Sequence, residues 1–297
     1  MKIVVTGSLG HIGKPLAKML AAKHNNVVVI SRSSKKIKDL EKIGATAAIG
    51  SMEDVQFLSE TFSGADVVYL MIPPNFKEFN SLAYYKRIAG NYRDAIQHSG
   101  VEHIVFLSSW GAHLDKRTGT ILGSHHAEKI LNQLGAVHKT YIRPVSIYYN
   151  LLNYIEMIKS AGIIGSNFKS EDKIAWVHPE DIAKAVYEEL IVKADEILKI
   201  RYVVSDEKTA ADTAKILGKA IDLPNLEWIP FSETEVKKGM MENGLPEQFA
   251  EDLVAINASI SSGRMGEDYE KNKPEFGNLK LEDYSTEFAK AYHNKKI

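Results

Sequence analysis

The chain has 297 residues, 44% of them hydrophobic and 25% charged, with 37 Lys and Arg against 38 Asp and Glu and a formal net charge of −1. The composition is that of a globular protein, and the charge balance gives no general attraction for phosphate backbones or anionic lipid, so neither nucleic acid nor membrane is an expected partner. Cysteine is absent and no apolar run is long enough to cross a bilayer, which excludes disulfides, thiolate metal sites and a thiol nucleophile and makes the cytoplasm the expected location.

In chain order, short runs rich in Val and Ile alternate with longer amphipathic stretches. The spacing predicts strands at Lys2–Thr6, Val27–Ser31, Ala47–Ile49, Asp66–Ile72, His103–Ser108 and His138–Ile142, and helices at Ile12–Lys23, Ile37–Ile43, Val55–Phe62, Leu82–Ser99 and Ser124–Leu134. In the fourth helix Leu82, Tyr85, Ile88, Ala89, Tyr92 and Ile96 mark the apolar stripe. Such alternation implies an α/β fold, a Rossmann-type doubly wound parallel sheet with right-handed crossovers. After Asn150 the rhythm changes. Val186–Ile191 reads as helix, with Asp181 near its start, and Ile200–Val204 as one more strand. From Asp206 onward the pattern is mainly helical, with loops around Leu223–Pro230 and Ser262–Gly277 and a solvated end at Asn294–Lys296. The expected organisation is a dinucleotide-binding domain over 1–150, completed by part of 178–205, and a smaller, mainly helical substrate lobe over 151–297.

The strongest local signal is Gly7-Ser8-Leu9-Gly10-His11-Ile12-Gly13, between the first strand and the first helix. A pyrophosphate needs backbone N–H donors and the positive end of a helix. Gly7 permits the tight turn, Gly10 a close approach of backbone to phosphate, and Gly13 close packing of helix on sheet. The G-x-x-G-x-x-G spacing is one residue longer in its first gap than the common dinucleotide fingerprint. An acid at the end of the second strand would hold a ribose 2′-hydroxyl and favour NAD. Here the strand runs into Ser31-Arg32-Ser33-Ser34-Lys35-Lys36. Arg32 offers a planar fork suited to a 2′-phosphate, so NADP(H) is the expected cofactor, with NAD(H) the alternative. Trp110, just past the fifth strand, and Tyr148 and Asn150, after Arg143-Pro144, are candidate substrate-lining residues; packing in the core is the other reading of the two aromatics. His178 has no second ligand at helical metal spacing, and no metal site is expected.

Taken with Met71-Ile72-Pro73-Pro74, Phe106-Leu107-Ser108-Ser109, His125-His126-Ala127-Glu128-Lys129, Tyr141-Ile142-Arg143-Pro144 and Val177-His178-Pro179-Glu180-Asp181-Ile182, the loop resembles the extended short-chain dehydrogenase/reductase superfamily, and within it the atypical NmrA-like branch. The resemblance implies that Met71, Ile72 and Pro73 line the nicotinamide ribose region. It places Gly50–Asp54 where a Gly-Asp turn commonly lies beside the adenine, with Ser51 in place of the acid. It also implies a catalytic serine, here Ser108 or Ser109, and a tyrosine four residues before a lysine. The lysine equivalent is Lys129, which would contact the ribose, but His125 stands where the tyrosine belongs. Histidine can carry a proton near neutral pH and so replace the tyrosine as donor; a polar residue at a helix start is the other reading, and for Glu128 with Lys129 the other reading is a solvated face.

These features lead to three expectations. The first is an NADP(H)-dependent oxidoreductase passing hydride to a small quinone, enone or carbonyl. The second is an NAD(P)-binding redox sensor that reports to a protein partner without turnover. The third, a nucleotide-sugar epimerase or dehydratase, would require the tyrosine–lysine pair. The sequence leaves the oligomeric state open.

Overall fold

A computed structural model describes the chain except for residues 25, 76, 77, 79 and 295–297; Lys295 and Lys296 of the expected solvated end thus lie outside the described residues. The first half runs β1 (Lys2–Val5), α1 (Gly13–Ala21), β2 (Asn26–Ser31), α2 (Ile37–Ile43), β3 (Thr46–Ile49), α3 (Val55–Phe62), β4 (Val67–Leu70), α4 (Ser81–Ser99), β5 (His103–Leu107), α5 (Ile121–Leu131) and β6 (His138–Pro144). The second half runs β7 (Ser146–Ile147), α6 (Ile155–Ala161), β8 (Ile164–Ser166), β9 (Lys173–Val177), α7 (Pro179–Ile191), β10 (Leu198–Val203), β11 (Asp206–Thr209), α8 (Ala210–Ala220), β12 (Trp228–Pro230), α9 (Glu233–Glu242), α10 (Glu247–Ser261), α11 (Glu267–Lys271) and α12 (Leu281–Asn294).

Two compact units are present. The first comprises Met1–Ala112, Gly123–Arg143 and Ile182–Arg201; the second comprises His113–Leu122, Pro144–Asp181 and Tyr202–Ile297. A seven-stranded sheet has the order β10-β6-β5-β4-β1-β2-β3. Pairing from β3 through β6 is parallel, with Val28 beside Thr46, Ile3 between Val27 and Val67, Val68 beside Ile104 and Val105 beside Thr140. Reversal of the strand order between β1 and β4 makes the sheet a doubly wound Rossmann type, in which ligands bind beyond the carboxyl ends of the strands at the reversal.

Burial follows the apolar pattern. All four residues of β4 are buried, as a strand between two neighbours and under helices must be. In α4, Tyr84, Ile88, Tyr92 and Ile96 recur at steps of four and turn inward, packing with Leu58 and Phe62 of α3, Phe106 of β5 and Tyr141 of β6. Tyr84 rather than Tyr85 takes the buried position of its turn. Strand β4 stops at Leu70, two residues short of the expected Ile72. The Met71 N–H leaves the ladder for the Thr6 side chain, and Pro73 and Pro74 have no N–H to pair.

The second unit holds the short strands that the sequence pattern does not reveal: a sheet of order β11-β9-β7 and the pair β12-β8. Strand β11 occupies the start of the region expected to be helical, and pairs antiparallel with β9 through Asp206–Trp176 and Thr209–Lys173. The expected loops 223–230 and 262–277 contain β12 and α11. Elements of three to five residues leave too few positions for a periodicity to register. Within this unit the Tyr148 ring stacks on Tyr284, with centroids 5.1 Å apart, and on Trp176 at 6.2 Å. Among the described residues no helix is long and apolar enough to cross a membrane.

Candidate functional site

The loop between β1 and α1 is built by three glycines with three different constraints. Gly7 has φ +90°, and a side chain there would run into Met71 Sδ at 2.5 Å. Gly13 begins α1, and a Cβ there would lie 2.1 Å from the Ser8 carbonyl oxygen. Around Gly10 a Cβ would meet nothing within 4 Å, so the tip of the loop faces open space. Ser8, although not glycine, has φ +57°. That conformation costs about 1–3 kcal/mol, and two bonds retain it: the Ser8 N–H donates to the Ile30 carbonyl at 3.1 Å and its hydroxyl donates to Ser31 Oγ at 3.1 Å. The phosphate loop is thereby tied to the end of β2.

Helix α1 opens with Ile12 at the cap position, so no side chain caps its first N–H groups, and its first turn carries no acid. An uncapped, acid-free helix start behind a glycine tip with open space is a cradle for an anion. Leu9 is half-buried, His11 exposed and Ile12 buried.

At the adjoining strand ends, Arg32 is exposed just beyond β2, and the Ser31 hydroxyl accepts the Ser33 N–H at 3.2 Å. The Gly50 N–H donates to the Ser31 carbonyl at 3.1 Å, which seats the turn after β3 beside β2. Ser51 accepts the Glu53 N–H at 3.1 Å, and Asp54 caps α3 by accepting from Phe57 at 3.0 Å. Sequence reasoning misses the residues of α4 that hold this turn. Arg87 makes a two-pronged contact with Glu53 at 2.9 and 3.1 Å and reaches Glu78 at 2.7 Å; Asn91 donates to the Met52 carbonyl at 3.0 Å. The i, i+4 spacing of Arg87 and Asn91 places them on one helix face, but that spacing is indistinguishable in sequence from ordinary solvated polar residues. Met71 and Pro73 are half-buried and Ile72 buried, in the segment following β4.

At the end of β5 the catalytic candidates separate. Ser108 is buried and its hydroxyl donates to Glu128 Oε1 at 2.6 Å. The same carboxylate accepts from Arg143 Nε at 3.0 Å and Nη2 at 2.7 Å. Glu128 and Arg143 are only 6% and 4% exposed, so the solvated face expected at Glu128–Lys129 is corrected: Glu128 points inward and Lys129 is the exposed neighbour. A step of one residue turns a helix by ~100°; Ser124, Glu128 and Leu131 share the inward face. His125 is half-buried, and its Nδ1–H donates to the Ala112 carbonyl at 2.8 Å. Trp110 is buried. In the second unit Tyr148 is fully buried in its aromatic stack and Asn150 is exposed.

Removing Glu128 takes away the carboxylate that faces the buried Arg143 guanidinium. Glu128→Ala should destabilise the protein by about 3–5 kcal/mol, and Glu128→Ala with Arg143→Met by less. Urea unfolding of the parent and the two variants checks this; a single-variant loss below ~1 kcal/mol would place the pair in solvent-like surroundings.

Comparison with known proteins adds a family. The chain is 23% identical over 260 residues to an NAD(P)H azoreductase of Xenophilus azovorans, 86% of each chain being covered. In fold it is similar to Citrobacter sp. triphenylmethane reductase complexed with NADP(H), with TM-score 0.81, 21% identity and coverage of 97% of this chain and 100% of that one. It is also similar to an NADPH-dependent quinone oxidoreductase of Escherichia coli, with TM-score 0.79, 21% identity and coverage of 96% and 98%. The model of the NmrA-like family matches residues 1–275, and the chain belongs to that family.

Proposed function

We propose that this protein is an NADP(H)-dependent oxidoreductase whose acceptor is a small conjugated molecule, a quinone, enone or carbonyl. The observation that carries the reading is the uncapped start of α1 behind the open Gly10 tip, with Arg32 rather than an acid at the end of β2. Residues Gly7–Gly13 would hold the pyrophosphate with main-chain N–H groups, and Arg32 the 2′-phosphate. Met71, Ile72 and Pro73 would line the path toward the nicotinamide, and Lys129 would reach the ribose. When bound, NADPH supplies a hydride. Support for a conjugated acceptor comes from the relatives, since the three named above reduce azo, triphenylmethane or quinone compounds according to their names.

His125 Nε2 is the atom assigned to proton delivery. Its partner nitrogen is committed to the Ala112 carbonyl. Ser108, in contrast, gives its proton to Glu128 and offers lone pairs only. A second reading, an NAD(P)-binding sensor that reports to a protein partner, draws on the same facts: the expected tyrosine is absent and the serine proton is engaged.

The deciding experiment follows NADPH consumption with quinones, an azo dye, a triphenylmethane dye and simple aldehydes. Turnover with at least one is expected; tight NADPH binding without turnover on any would favour the sensor. Arg32→Ala should weaken NADPH by about ten-fold or more, the value of one charge-assisted hydrogen bond, and leave NADH nearly unchanged. Equal losses for both, measured by calorimetric titration, would remove Arg32 from the 2′-phosphate.

A further inference from the structure

The segment after β4 would line the dinucleotide, yet it lies outside the sheet and its two prolines cannot pair with a neighbour. Something must fix its main chain. Tyr92 of α4 is fully buried, and its hydroxyl donates to the Met71 carbonyl at 2.8 Å. The Met71 N–H donates to Thr6 Oγ1 at 2.9 Å. Thr6 is also fully buried and lies beside the phenol. Two bonds therefore hold one residue from its two sides: Met71 N–H to Thr6 Oγ1, and the Tyr92 hydroxyl to the Met71 carbonyl.

The two hydroxyls grip both main-chain polar groups of a single residue, so both dihedrals of Met71 are set. The side chain that those dihedrals aim is the one lying over Gly7, the first residue of the phosphate loop. The phenol also touches the turn after β3, with its oxygen 2.7 Å from Met52 Sδ. One buried hydroxyl thus stands among the three segments that the dinucleotide would contact. Burial pushes the phenol's ionisation well above its ordinary range, so the group remains a proton donor at every working pH.

We infer that Thr6 and Tyr92 are positioning residues for the dinucleotide, acting through Met71 as one hydrogen-bonded unit rather than as two separate supports. The inference rests on the dinucleotide reading proposed above. It distinguishes them from Arg32: they shape the part of the site common to both cofactors.

The test uses the full chain, calorimetric titration with NADPH and with NADH, and thermal unfolding of each variant. Tyr92→Phe and Thr6→Val each remove a hydroxyl while keeping the ring or the branched shape. Each should weaken both cofactors by about ten-fold, and by the same factor for each. The double variant should be no weaker than the worse single one, because both hydroxyls act through the placement of one residue; independent supports would multiply, to about a hundred-fold. Thr6→Ser, which keeps the hydroxyl, should recover most of the loss. Affinities within two-fold of the parent, with only the melting temperature lowered, would overturn the inference, as would multiplying effects in the double variant. Should Tyr92→Phe fail to fold, Thr6→Val against Thr6→Ser decides by the same criteria. A parent that binds neither cofactor would overturn the dinucleotide reading itself, an outcome visible before any variant is made.

Discussion

Gly10→Asp is expected to abolish dinucleotide binding while the protein remains folded. Space at this position separates the two effects. A Cβ on Gly10 meets nothing within 4 Å, and the residue is not among those with positive φ, so the substitution strains neither packing nor backbone. An aspartate there also faces the start of α1, which has no side-chain cap and no acid in its first turn. A carboxylate in that position is favourable to the helix by a few tenths to about 1 kcal/mol. The stability should therefore hold or rise. Binding should fall by at least about a hundred-fold, because the carboxylate takes the N–H donors meant for the pyrophosphate and repels its charge. Gly13→Ala offers the contrast. Its Cβ would press on the Ser8 carbonyl at 2.1 Å, so it should lose stability together with binding. A calorimetric titration of Gly10→Asp indistinguishable from the parent would remove the loop from the cofactor site.

The second large effect is expected at His125. A carbonyl oxygen can only accept, so the 2.8 Å contact with Ala112 places a proton on Nδ1. In the neutral ring Nε2 then has no proton to give, and only the imidazolium can act as an acid from that side. His126 is a poor substitute: burial, with Lys86, His125 and Lys129 nearby, lowers its ionisation and holds it neutral. Asparagine at 125 keeps an amide donor for Ala112 and removes the acid. Turnover on a carbonyl should drop by roughly 10²–10⁴ with NADPH affinity almost intact. A quinone, which can take its proton from water after hydride arrives, should show a smaller change. Steady-state kinetics on both substrate types will decide. Parent-like rates for the variant on every substrate would exclude histidine catalysis.

How much of this was legible in the sequence depends on the kind of signal. Strands β1, β2, β4 and β5 are visible because a buried parallel strand is a run rich in Val and Ile bounded by turn residues, and the glycine loop is visible because each glycine answers a backbone demand. Glu128 is misread for a physical reason. A buried carboxylate is tolerable only beside its partner, and Arg143 lies fifteen residues away on another element. Nothing local to Glu128-Lys129 tells which of the two charges faces inward. Arg87, Asn91 and Tyr92 escape for a related reason: their partners Glu53, Met52 and Met71 are brought near only by the strand order. Tyr92 is correctly placed on the apolar stripe, but periodicity reports where a ring is buried and not what its hydroxyl does. The short strands of the second unit fall below the length at which alternation can be read.

The edge of the large sheet bears on how the protein is made. Strand β6 ends at Pro144, and the strand that covers its outer side, β10, begins at Leu198. On a ribosome the strands from β1 to β6 are available for pairing long before β10 has emerged. Throughout that interval β6 presents an open row of N–H and carbonyl groups, the kind of edge along which nascent chains pair wrongly with one another. Completion of the nucleotide-binding sheet must wait for about two-thirds of the polypeptide, and closing the long loop between β6 and β10 then adds an entropic cost that slows their pairing. A chain cut before residue 198 would carry every glycine of the phosphate loop and still lack the strand that seals its sheet.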